Sequence, residues 1–471
     1  MWRGERARGR TGLLAGMLLI VVACAGTSST DTTGTPPTDA VTTVAPDTST
    51  TTVGTTTTTS TEPEAIPTTT TARTDCDIPD GEDFIRSESV ELTHLGEVDG
   101  VQVSAALYPH PDYEGNPWSQ WGQGVVIEDG RYYSAIGDHH QIDGNSFVYE
   151  YDPASNTLTT IGDILSYIDQ VPGTAGHGKI HSQMVPGPCG EIYFSTYWGS
   201  SRAVEFEGNY TGEVLFRLDP FGETLQPLDV PVEFHGQASM GSAPEFGVVY
   251  GEAVDPILRD EREQGPFFAY DVVAEEVVFS GPDQPHVGYR SILVDADGVG
   301  YWSIGDGELQ TFDPETGDSV LHDERLPGDW LRAATDPGPD GTVYGVTREP
   351  DRFFAMNQDG SIEALGDALG YTASMALSPD GSRFYYMPGA HGNSSDWDSP
   401  LVAVDTSTGE ETIVAELYEI VEESLGYRVG GTYNIAVSPD GSTVYMGVNV
   451  GEAGTDESFG EVVLLVLEPP S

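Results

Sequence analysis

Hydrophobic residues in most of this chain fall in short runs, and glycine, proline, aspartate and asparagine lie between the runs. Apolar runs of about four to eight residues with turn-forming residues between them predict β-strands joined by tight turns. Two segments, 378–387 and 438–448, both begin with Ser-Pro-Asp-Gly-Ser and continue into an apolar strand. After the first copy comes another strand-like run, Leu401–Asp405, and then a Thr-Gly-Glu turn. The pattern therefore predicts an all-β fold built from repeats.

The spacing of the repeats limits the architectures that are possible. Looser copies lie upstream at intervals of roughly 40–55 residues, and a repeat of this length made only of strands and turns is typical of a β-propeller. The roughly 390 residues from Asp77 onward predict seven blades of four antiparallel strands, with six or eight blades as alternatives. Blade one is predicted to begin near Gly124–Ile127, and blade seven to begin at Tyr433 and end with Glu461–Leu467. The segment 84–95 is predicted to add the missing strand of blade seven, which closes the ring.

Asp-Gly pairs recur at the predicted turn between the first and second strands of a blade. Glycine fits there because such turns need a positive φ. The aspartates of these pairs are Asp129, Asp297, Asp340, Asp380 and Asp440. They suggest calcium loops as an alternative, but none has the number of ligands of a dedicated calcium loop. The turn interpretation is therefore favoured.

The first 24 residues have the pattern of a targeting segment. Four arginines precede the apolar run Leu13–Val22, which is too short to span a bilayer and has the length of a signal peptide. The run ends in Val-Val-Ala-Cys24, which resembles the lipobox of bacterial lipoproteins. This resemblance implies lipidation of Cys24 and anchoring of the protein to the cell membrane, outside the cytoplasm. An ordinary secretory signal peptide is the alternative.

Residues 25–75 are rich in threonine, serine and proline and contain almost no large apolar side chains. Such a segment buries too little surface to offset its ordering entropy, so it is predicted to be a disordered tether. Residues 76–471 are predicted to form the propeller domain. Because an extracytoplasmic compartment permits disulfides, Cys76 and Cys189 are predicted to pair. Two separate thiols are the alternative.

The formal net charge is −57, with 76 acidic residues against 19 lysines and arginines. A surface this acidic repels nucleic acid and anionic membranes, so neither is an expected partner apart from the lipid anchor. Lys179 is the sole lysine of the chain.

The position of a residue within its repeat also predicts the face of the propeller on which it lies. In a propeller, the connections that lead into each innermost strand and those between the second and third strands share one face, here called the top face. Eight of the ten histidines fall on these connections: His110, His139, His140, His177, His181, His235, His286 and His391. We hypothesise that at least three of them share a central site. Because polar residues favour loops, scattered surface histidines are the alternative.

Basic residues give a second signal at the same face. Lys179, Arg290, Arg332 and Arg428 each lie at or just before the innermost strand of a different blade, so they are predicted to surround the mouth of the channel. Cations gathered at a concave point suggest an anionic ligand group such as a carboxylate or phosphate. Pairing of each arginine with a neighbouring acid is the alternative. The predicted ligand-binding set also includes His139, His140, His177 and His391.

The repeat as a whole resembles the superfamily of seven-bladed propellers that includes streptogramin-lyase-like, gluconolactonase-like and YVTN-type proteins. The resemblance covers about residues 84–468 and rests on the two Ser-Pro-Asp-Gly-Ser units and on the turn Asp313–Gly317. Oligogalacturonate lyases and streptogramin lyases, in the wider group of propellers, use a divalent metal for eliminations. By analogy, the metal ligands would be His181, His235, Gln237 and His286. His181, His235 and Arg290 would be the catalytic residues, with Arg290 on a substrate carboxylate.

Three functions follow as hypotheses. The first is binding of a polar, anionic small molecule or saccharide at the top face. The second is a metal-dependent lyase or lactonase that acts at the same place. The third is a scaffold that binds a protein partner through its rim. The repeat motifs specify the architecture, while function on such a fold depends on the loops.

Overall fold

A computed structural model describes residues 78–113, 118–138, 144–170, 177–198, 210–254, 264–282, 284–285 and 292–470. Regular structure in these residues is nearly all β, and their one α-helix is α1 (Tyr418–Leu425). Three short 3₁₀ turns lie at Ile164–Ser166, Pro244–Phe246 and Ser394–Trp397. Within the described ranges, no helix has the length and apolar character needed to cross a membrane.

Four strands precede the first repeat, and the repeats then follow as antiparallel sheets. The N-terminal strands are β1 (Glu82–Asp83), β2 (Ser89–Glu91), β3 (Thr93–Val98) and β4 (Val101–Leu107). Blade one contains, from the channel outward, β5 (Val125–Val126), β6 (Tyr132–Gly137), β7 (Ser146–Asp152) and β8 (Thr157–Asp163). Blade two contains β9 (Lys179–Ile180), β10 (Val185–Pro186), β11 (Ile192–Tyr197), β12 (Leu215–Asp219) and β13 (Thr224–Pro227). Blade three and its connections contain β14 (Gly236–Ala243), β15 (Val248–Val254), β16 (Gln264–Gly265), β17 (Phe267–Asp271), β18 (Glu276–Ser280) and β19 (Gln284–Pro285).

The remaining four blades continue the same order, from the channel outward. Blade four contains β20 (Ile292–Val294), β21 (Gly300–Gly305) and β22 (Glu308–Phe312). Blade five contains β23 (Trp330–Ala334), β24 (Val343–Arg348), β25 (Arg352–Met356) and β26 (Ile362–Asp367). Blade six contains β27 (Ala376–Leu377), β28 (Arg383–Tyr386), β29 (Pro400–Asp405) and β30 (Glu411–Glu416). Blade seven contains β31 (Tyr427–Val437), β32 (Val444–Glu452) and β33 (Glu461–Glu468), so the prediction of seven blades is confirmed.

The N-terminal part of the chain closes the ring, but through a later segment than the sequence suggested. Strand β4 pairs with β33 and supplies the fourth strand of blade seven, and β3 lies outside it. Segment 84–95 was wrong as the strand that pairs with β33. Its residues in β2 pair with blade one, and its residues 93–95 lie in β3, the outer strand of the blade-seven sheet. Strand β4 takes the closing place because Val101, Val103 and Ala105 alternate along it and are buried in the core of blade seven.

The core is divided among the interfaces between blades. Seven apolar clusters fill the spaces between neighbouring sheets, one for each interface. Between blades three and four, for example, the Phe267 and Trp302 rings stack with centroids 3.9 Å apart. Because each blade packs on two neighbours, closure of the ring buries both faces of every sheet.

The Asp-Gly turns have the predicted conformation. The glycines Gly130, Gly298, Gly341, Gly381 and Gly441 all have φ between 71° and 89°. In the two clearest repeats, Asp380 and Asp440 accept hydrogen bonds from turn hydroxyl and N–H groups. The hydroxyls of Ser378 and Ser438 make the largest contribution, and the pKa of each aspartate falls to about 2. These contacts support the turn interpretation.

Polar side chains near the middle of the channel join neighbouring innermost strands. The Gly124 N–H donates to Asn434 Oδ1 (2.8 Å), the Met240 N–H to Gln183 Oε1 (3.0 Å) and the Ile435 N–H to Ser374 Oγ (3.0 Å). From this level a cavity of about 740 Å³ extends away from the top face, lined by innermost strands and by their turns. None of the described site residues predicted from the sequence lines this cavity. Four of them, Lys179, His181, Arg332 and His391, lie together at the other end of the channel.

Candidate binding site at the top of the channel

Trp121 lies across the top end of the channel. It precedes blade one, yet its ring centroid is 4.8 Å from that of Tyr433 in blade seven and 5.6 Å from that of Phe459, which stacks at 5°. Its ring also stacks at 18° on His181 of blade two, at 6.1 Å. The indole N–H donates to Ser119 Oγ (2.7 Å), which fixes the ring. The Trp121 ring also lies 6.2 Å from His391 of blade six, which is not a neighbour of blade one, so this side chain lies near the propeller axis.

Lys179 packs against this ring. Its Nζ is 4.6 Å from the centroid of Trp121 and 5.7 Å from that of Tyr197, both within the range of a cation–π contact. Lys179 pairs with Tyr197 in the short ladder between β9 and β11, which explains why the two side chains meet. Lys179 and Trp121 are both partly exposed. The sole lysine is therefore held beside two aromatic faces at the top face.

A second group of rings and cations lies beside the first, in blades five to seven. Arg332 is buried, and its Nε–H donates to Tyr371 Oη (2.6 Å). The guanidinium carbons of Arg332 and Arg348 lie 5.0 and 5.1 Å from the Tyr371 centroid. His391 stacks on the same ring at 4.9 Å, and its Nδ1 is 2.6 Å from Tyr433 Oη. Since Tyr433 also contacts Trp121, the two groups are continuous.

We call this continuous set the top-face cluster. It consists of Trp121, Lys179, His181, Tyr197, Arg332, Arg348, Tyr371, His391, Tyr433 and Phe459. An acid lies near its arginines. Burial raises the pKa of Asp351, and the positive charges of Arg348 and Arg332 act against that increase. The alternative in which the arginines interact with a neighbouring acid therefore holds in part for Arg332 and Arg348 of blade five.

His181 has a defined tautomer within the cluster. The side chain is 4% exposed, and its Nδ1 is 3.1 Å from the carbonyl oxygen of Ala238. A carbonyl only accepts, so Nδ1 carries a proton and Nε2 is the lone-pair nitrogen of the neutral ring. The ring also lies 5.0 Å from Tyr197.

A histidine–glutamate pair lies next to the cluster, in blade two. His177 Nδ1 is 2.7 Å from Glu213 Oε2, and Thr196 Oγ1 donates to the same oxygen (2.5 Å). Tyr210 Oη donates to the other carboxylate oxygen, Oε1 (3.0 Å). The Glu213 side chain is 0% exposed and that of His177 is 12% exposed. A buried carboxylate thus accepts three hydrogen bonds and orients one partly accessible imidazole.

The other predicted residues are spread more widely. His235 is partly exposed, and its Nδ1 is 2.8 Å from the Glu233 carbonyl oxygen. Gln237 is fully buried, and its Nε2 donates to the Glu213 carbonyl (3.2 Å). Arg428 donates to Ser395 Oγ from Nε (3.0 Å) and Nη2 (2.7 Å), beside the 3₁₀ turn in blade six. The structure therefore brings Lys179, His181, Arg332 and His391 together, and places Arg428 with Ser395.

Several predictions fall on residues outside the described ranges: His139, His140, His286, Arg290, Cys24 and Cys76. Cys189 lies in the turn after β10, where its N–H donates to Glu191 Oε2 (2.7 Å). Its pairing with Cys76 stays a prediction.

The predicted metal ligands have donor atoms of a suitable type. His181 would coordinate through Nε2, and Gln237 Oε1 is buried with no hydrogen-bond partner among the described residues. Imidazole nitrogen and amide oxygen are both ligands of divalent transition metals. Among the described residues, no group of three or more His, Cys, Asp or Glu side chains could hold a metal ion. The fourth predicted ligand, His286, lies outside them.

Sequence reasoning missed Glu213, Arg348, Phe459 and the partners Thr196 and Tyr210. Glu213 is one of 76 acidic residues in the chain, so composition gives no sign that this one is buried. Arg348 ends β24 and thus lies on the predicted top face, which is a positional signal that could have identified it.

Comparison with solved structures gives the architecture. An oligogalacturonate lyase in complex with manganese matches at a TM-score of 0.50 and 11% identity, over 83% of this chain and 99% of that chain. The chain is a seven-bladed β-propeller. The propeller also resembles an oligogalacturonate lyase from Vibrio parahaemolyticus (TM-score 0.50, 10% identity, 82% of this chain and 98% of that one). A virginiamycin B lyase from Staphylococcus aureus matches at a TM-score of 0.48 and 10% identity, over 78% of this chain and 99% of that one.

No protein-family model and no curated protein sequence matches the chain. At identities of about a tenth, the structural similarity establishes the fold alone.

Proposed function

We propose that the top-face cluster binds a carboxylate-bearing small molecule, and specifically an anionic saccharide. The observation that carries this proposal is the position of Lys179. In a chain of net charge −57, the sole lysine lies at the top of the channel, 4.6 Å from the centroid of Trp121. A cation beside a partly exposed aromatic face offers both contacts that a charged sugar needs, namely a partner for the carboxylate and a flat surface for the ring.

Arg348 and His391 extend this surface. Both contact the Tyr371 ring, Arg348 is partly exposed and His391 is exposed. A ligand longer than one ring would reach from Lys179 and Trp121 across to this second group. The continuity of the rings through Tyr433 supports a single elongated surface.

A binding experiment with matched ligands tests the proposal. The galacturonate trimer is titrated into the purified propeller by calorimetry, with the uncharged galactose trimer of the same linkage as control. We expect the charged trimer to bind at least about tenfold more tightly, because a charge-assisted hydrogen bond contributes about 1.5–3 kcal/mol. Its affinity should also fall as salt is added. Equal binding of both sugars, or binding of neither, would contradict the proposal.

A second candidate is elimination from the same ligand, as a lyase. The observation in favour is the buried Glu213 carboxylate that orients His177 two residues before Lys179. If a divalent metal binds, His181 and Gln237, with His235 and His286, would hold it, and it would stabilise negative charge on a bound carboxylate. Formation of an unsaturated product from galacturonate oligomers, measured by ultraviolet absorbance, tests this candidate. Binding without formation of this product would exclude the lyase and leave the binding function as the remaining proposal.

We also propose that the propeller is anchored outside the cytoplasm through a lipid on Cys24. The support is the sequence pattern of residues 1–24 and the tether composition of residues 25–75. Expression in a bacterial host with radiolabelled palmitate tests it. The wild-type chain should incorporate label and partition into detergent, and Cys24→Ala should do neither. Equal labelling of both chains would contradict the anchor.

A further inference from the structure

We propose that His177, oriented by Glu213, is the proton acceptor of the elimination considered above. This inference rests on the second candidate function and assigns its base to a residue that the sequence analysis placed only among ligand contacts. It begins from the hydrogen bond of 2.7 Å between His177 Nδ1 and Glu213 Oε2. The glutamate is fully buried, while part of the imidazole remains accessible.

The partners of Glu213 determine which nitrogen of His177 is available. Thr196 and Tyr210 both donate hydroxyl hydrogen bonds to the carboxylate, so Glu213 acts as an acceptor on both oxygens. His177 must then donate from Nδ1, and Nε2 keeps its lone pair in the neutral ring. Nδ1 faces the buried carboxylate and the side chain is 12% exposed, so we infer that Nε2 lies on the accessible side of the ring. This arrangement is the one a general base needs.

Other described histidines are less suited to this role. The Nδ1 atoms of His181 and His235 contact neutral carbonyl oxygens, which stabilise an imidazolium less than a carboxylate does. His110 does contact a carboxylate, that of Glu461, but its other nitrogen is 3.1 Å from a carbonyl oxygen. Among the described histidines, His177 therefore combines a buried carboxylate on one nitrogen with an accessible second nitrogen.

His177 also lies close enough to Lys179, the proposed carboxylate site, for one sugar ring to reach both residues. Two residues of extended chain span at most about 7 Å, so the Cα atoms of His177 and Lys179 are no farther apart than that. Thr196, which contacts His177, directly precedes Tyr197, which contacts Lys179. One sugar ring held by Lys179 would thus present its neighbouring carbon atoms to the His177 side.

In the proposed step, His177 is the base of a β-elimination. His177 Nε2 takes the proton from the carbon next to the carboxylate, and the electron pair of that C–H bond forms a carbon–carbon double bond. The bond from the adjacent carbon to its oxygen breaks, and the oxygen leaves with a proton from water. The hydroxide that remains takes the proton from His177 Nε2, which returns the imidazole to its neutral form. Lys179 stabilises the negative charge that builds on the carboxylate during proton removal. Glu213 touches no reacting atom and is a positioning residue.

The test compares His177→Ala, Glu213→Gln and the control His322→Gln in full-length protein, with galacturonate oligomers as substrate. His322 lies on the outer rim, where its Nε2 contacts the Gly360 carbonyl. We expect His177→Ala to lower kcat at least about 100-fold with KM little changed, because general bases contribute factors of about 100 to 10,000. Added imidazole should restore part of this rate. Glu213→Gln should lower kcat with no rescue by imidazole, and His322→Gln should match wild type.

The possible results distinguish the role of His177 from the lyase and binding functions. Wild-type turnover with full activity of His177→Ala would overturn the role of His177 and leave the lyase standing. Binding of the oligomer without turnover would overturn both the lyase and this inference and leave the binding function. Loss of rate in His177→Ala without imidazole rescue, in a variant with native circular dichroism, would also overturn the assignment. His177→Gln serves as a second variant if the alanine protein does not fold.

Discussion

Replacing Glu213 with leucine should destabilise the propeller strongly, although this residue lies in a connection rather than a strand. The change removes the acceptor of three buried donors, His177 Nδ1, Thr196 Oγ1 and Tyr210 Oη. Each donor that loses this acceptor costs about 1–3 kcal/mol, while Thr196 Oγ1 and His177 Nδ1, 3.0 Å apart, keep their contact with each other. We therefore expect a loss of about 3–5 kcal/mol, the range for removing one partner of a buried pair.

Differential scanning calorimetry at one scan rate measures this effect. With an unfolding entropy of about 2.1 cal/mol/K per residue over roughly 390 folded residues, a loss of about 4 kcal/mol lowers Tm by about 5 °C. The matched control is Glu423→Leu, at an exposed position of α1, which should shift Tm by less than about 1 °C. If Glu213→Leu melts with the control, Glu213 is not the buried acceptor described here, and the base proposed for His177 loses its support.

Two further changes test other parts of the fold by thermal melting. The hydrogen bond from His110 to Glu461 raises the pKa of His110, so this contact stabilises below the unfolded-state pKa and is lost as pH rises through the folded-state pKa. His110→Gln should therefore lower Tm more at about pH 5 than at about pH 8.5, and equal losses would contradict the pair. At Gly236, an added Cβ would lie 1.9 Å from Trp198 Cζ3, so Gly236→Ala should cost at least about 1–3 kcal/mol. Gly366→Ala, whose Cβ meets its nearest atom at 4.0 Å, should be tolerated, and equal melting of the two variants would exclude the clash.

The architecture was predictable because it depends on local, repeated signals. Strand runs and Asp-Gly turns recur in the chain, and each glycine of those turns has the expected positive φ. The closing strand was harder to predict. Segments 84–95 and 101–107 both have strand character. The hairpin at Asp99 and Gly100 brings β3 and β4 into the blade-seven sheet, with β4 and not β3 against β33. That choice depends on long-range pairing, which a local pattern does not contain.

The sequence predicted the face on which the site residues lie better than it predicted the partners that their side chains contact. Position in the repeat predicted one face for Lys179, His181, Arg332 and His391, and these side chains are joined through contacts with Trp121, Tyr371 and Tyr433. The same reasoning grouped Arg428 with them, whereas its guanidinium contacts Ser395 near blade six. The position of a residue in its repeat indicates the face of the propeller on which it lies. The direction of a long side chain depends on the residues around it.

Calorimetric titration of the galacturonate trimer into wild-type protein and Lys179→Met measures how much Lys179 contributes to ligand binding. Arg352→Met is the matched control, because it removes a cation that pairs with Asp367 on the outer part of blade five. We expect Lys179→Met to weaken binding by about 10- to 150-fold, the equivalent of about 1.5–3 kcal/mol, and the affinity of the control to stay within about twofold of wild type. Wild-type affinity in Lys179→Met would contradict the claim that the top-face cluster binds the carboxylate.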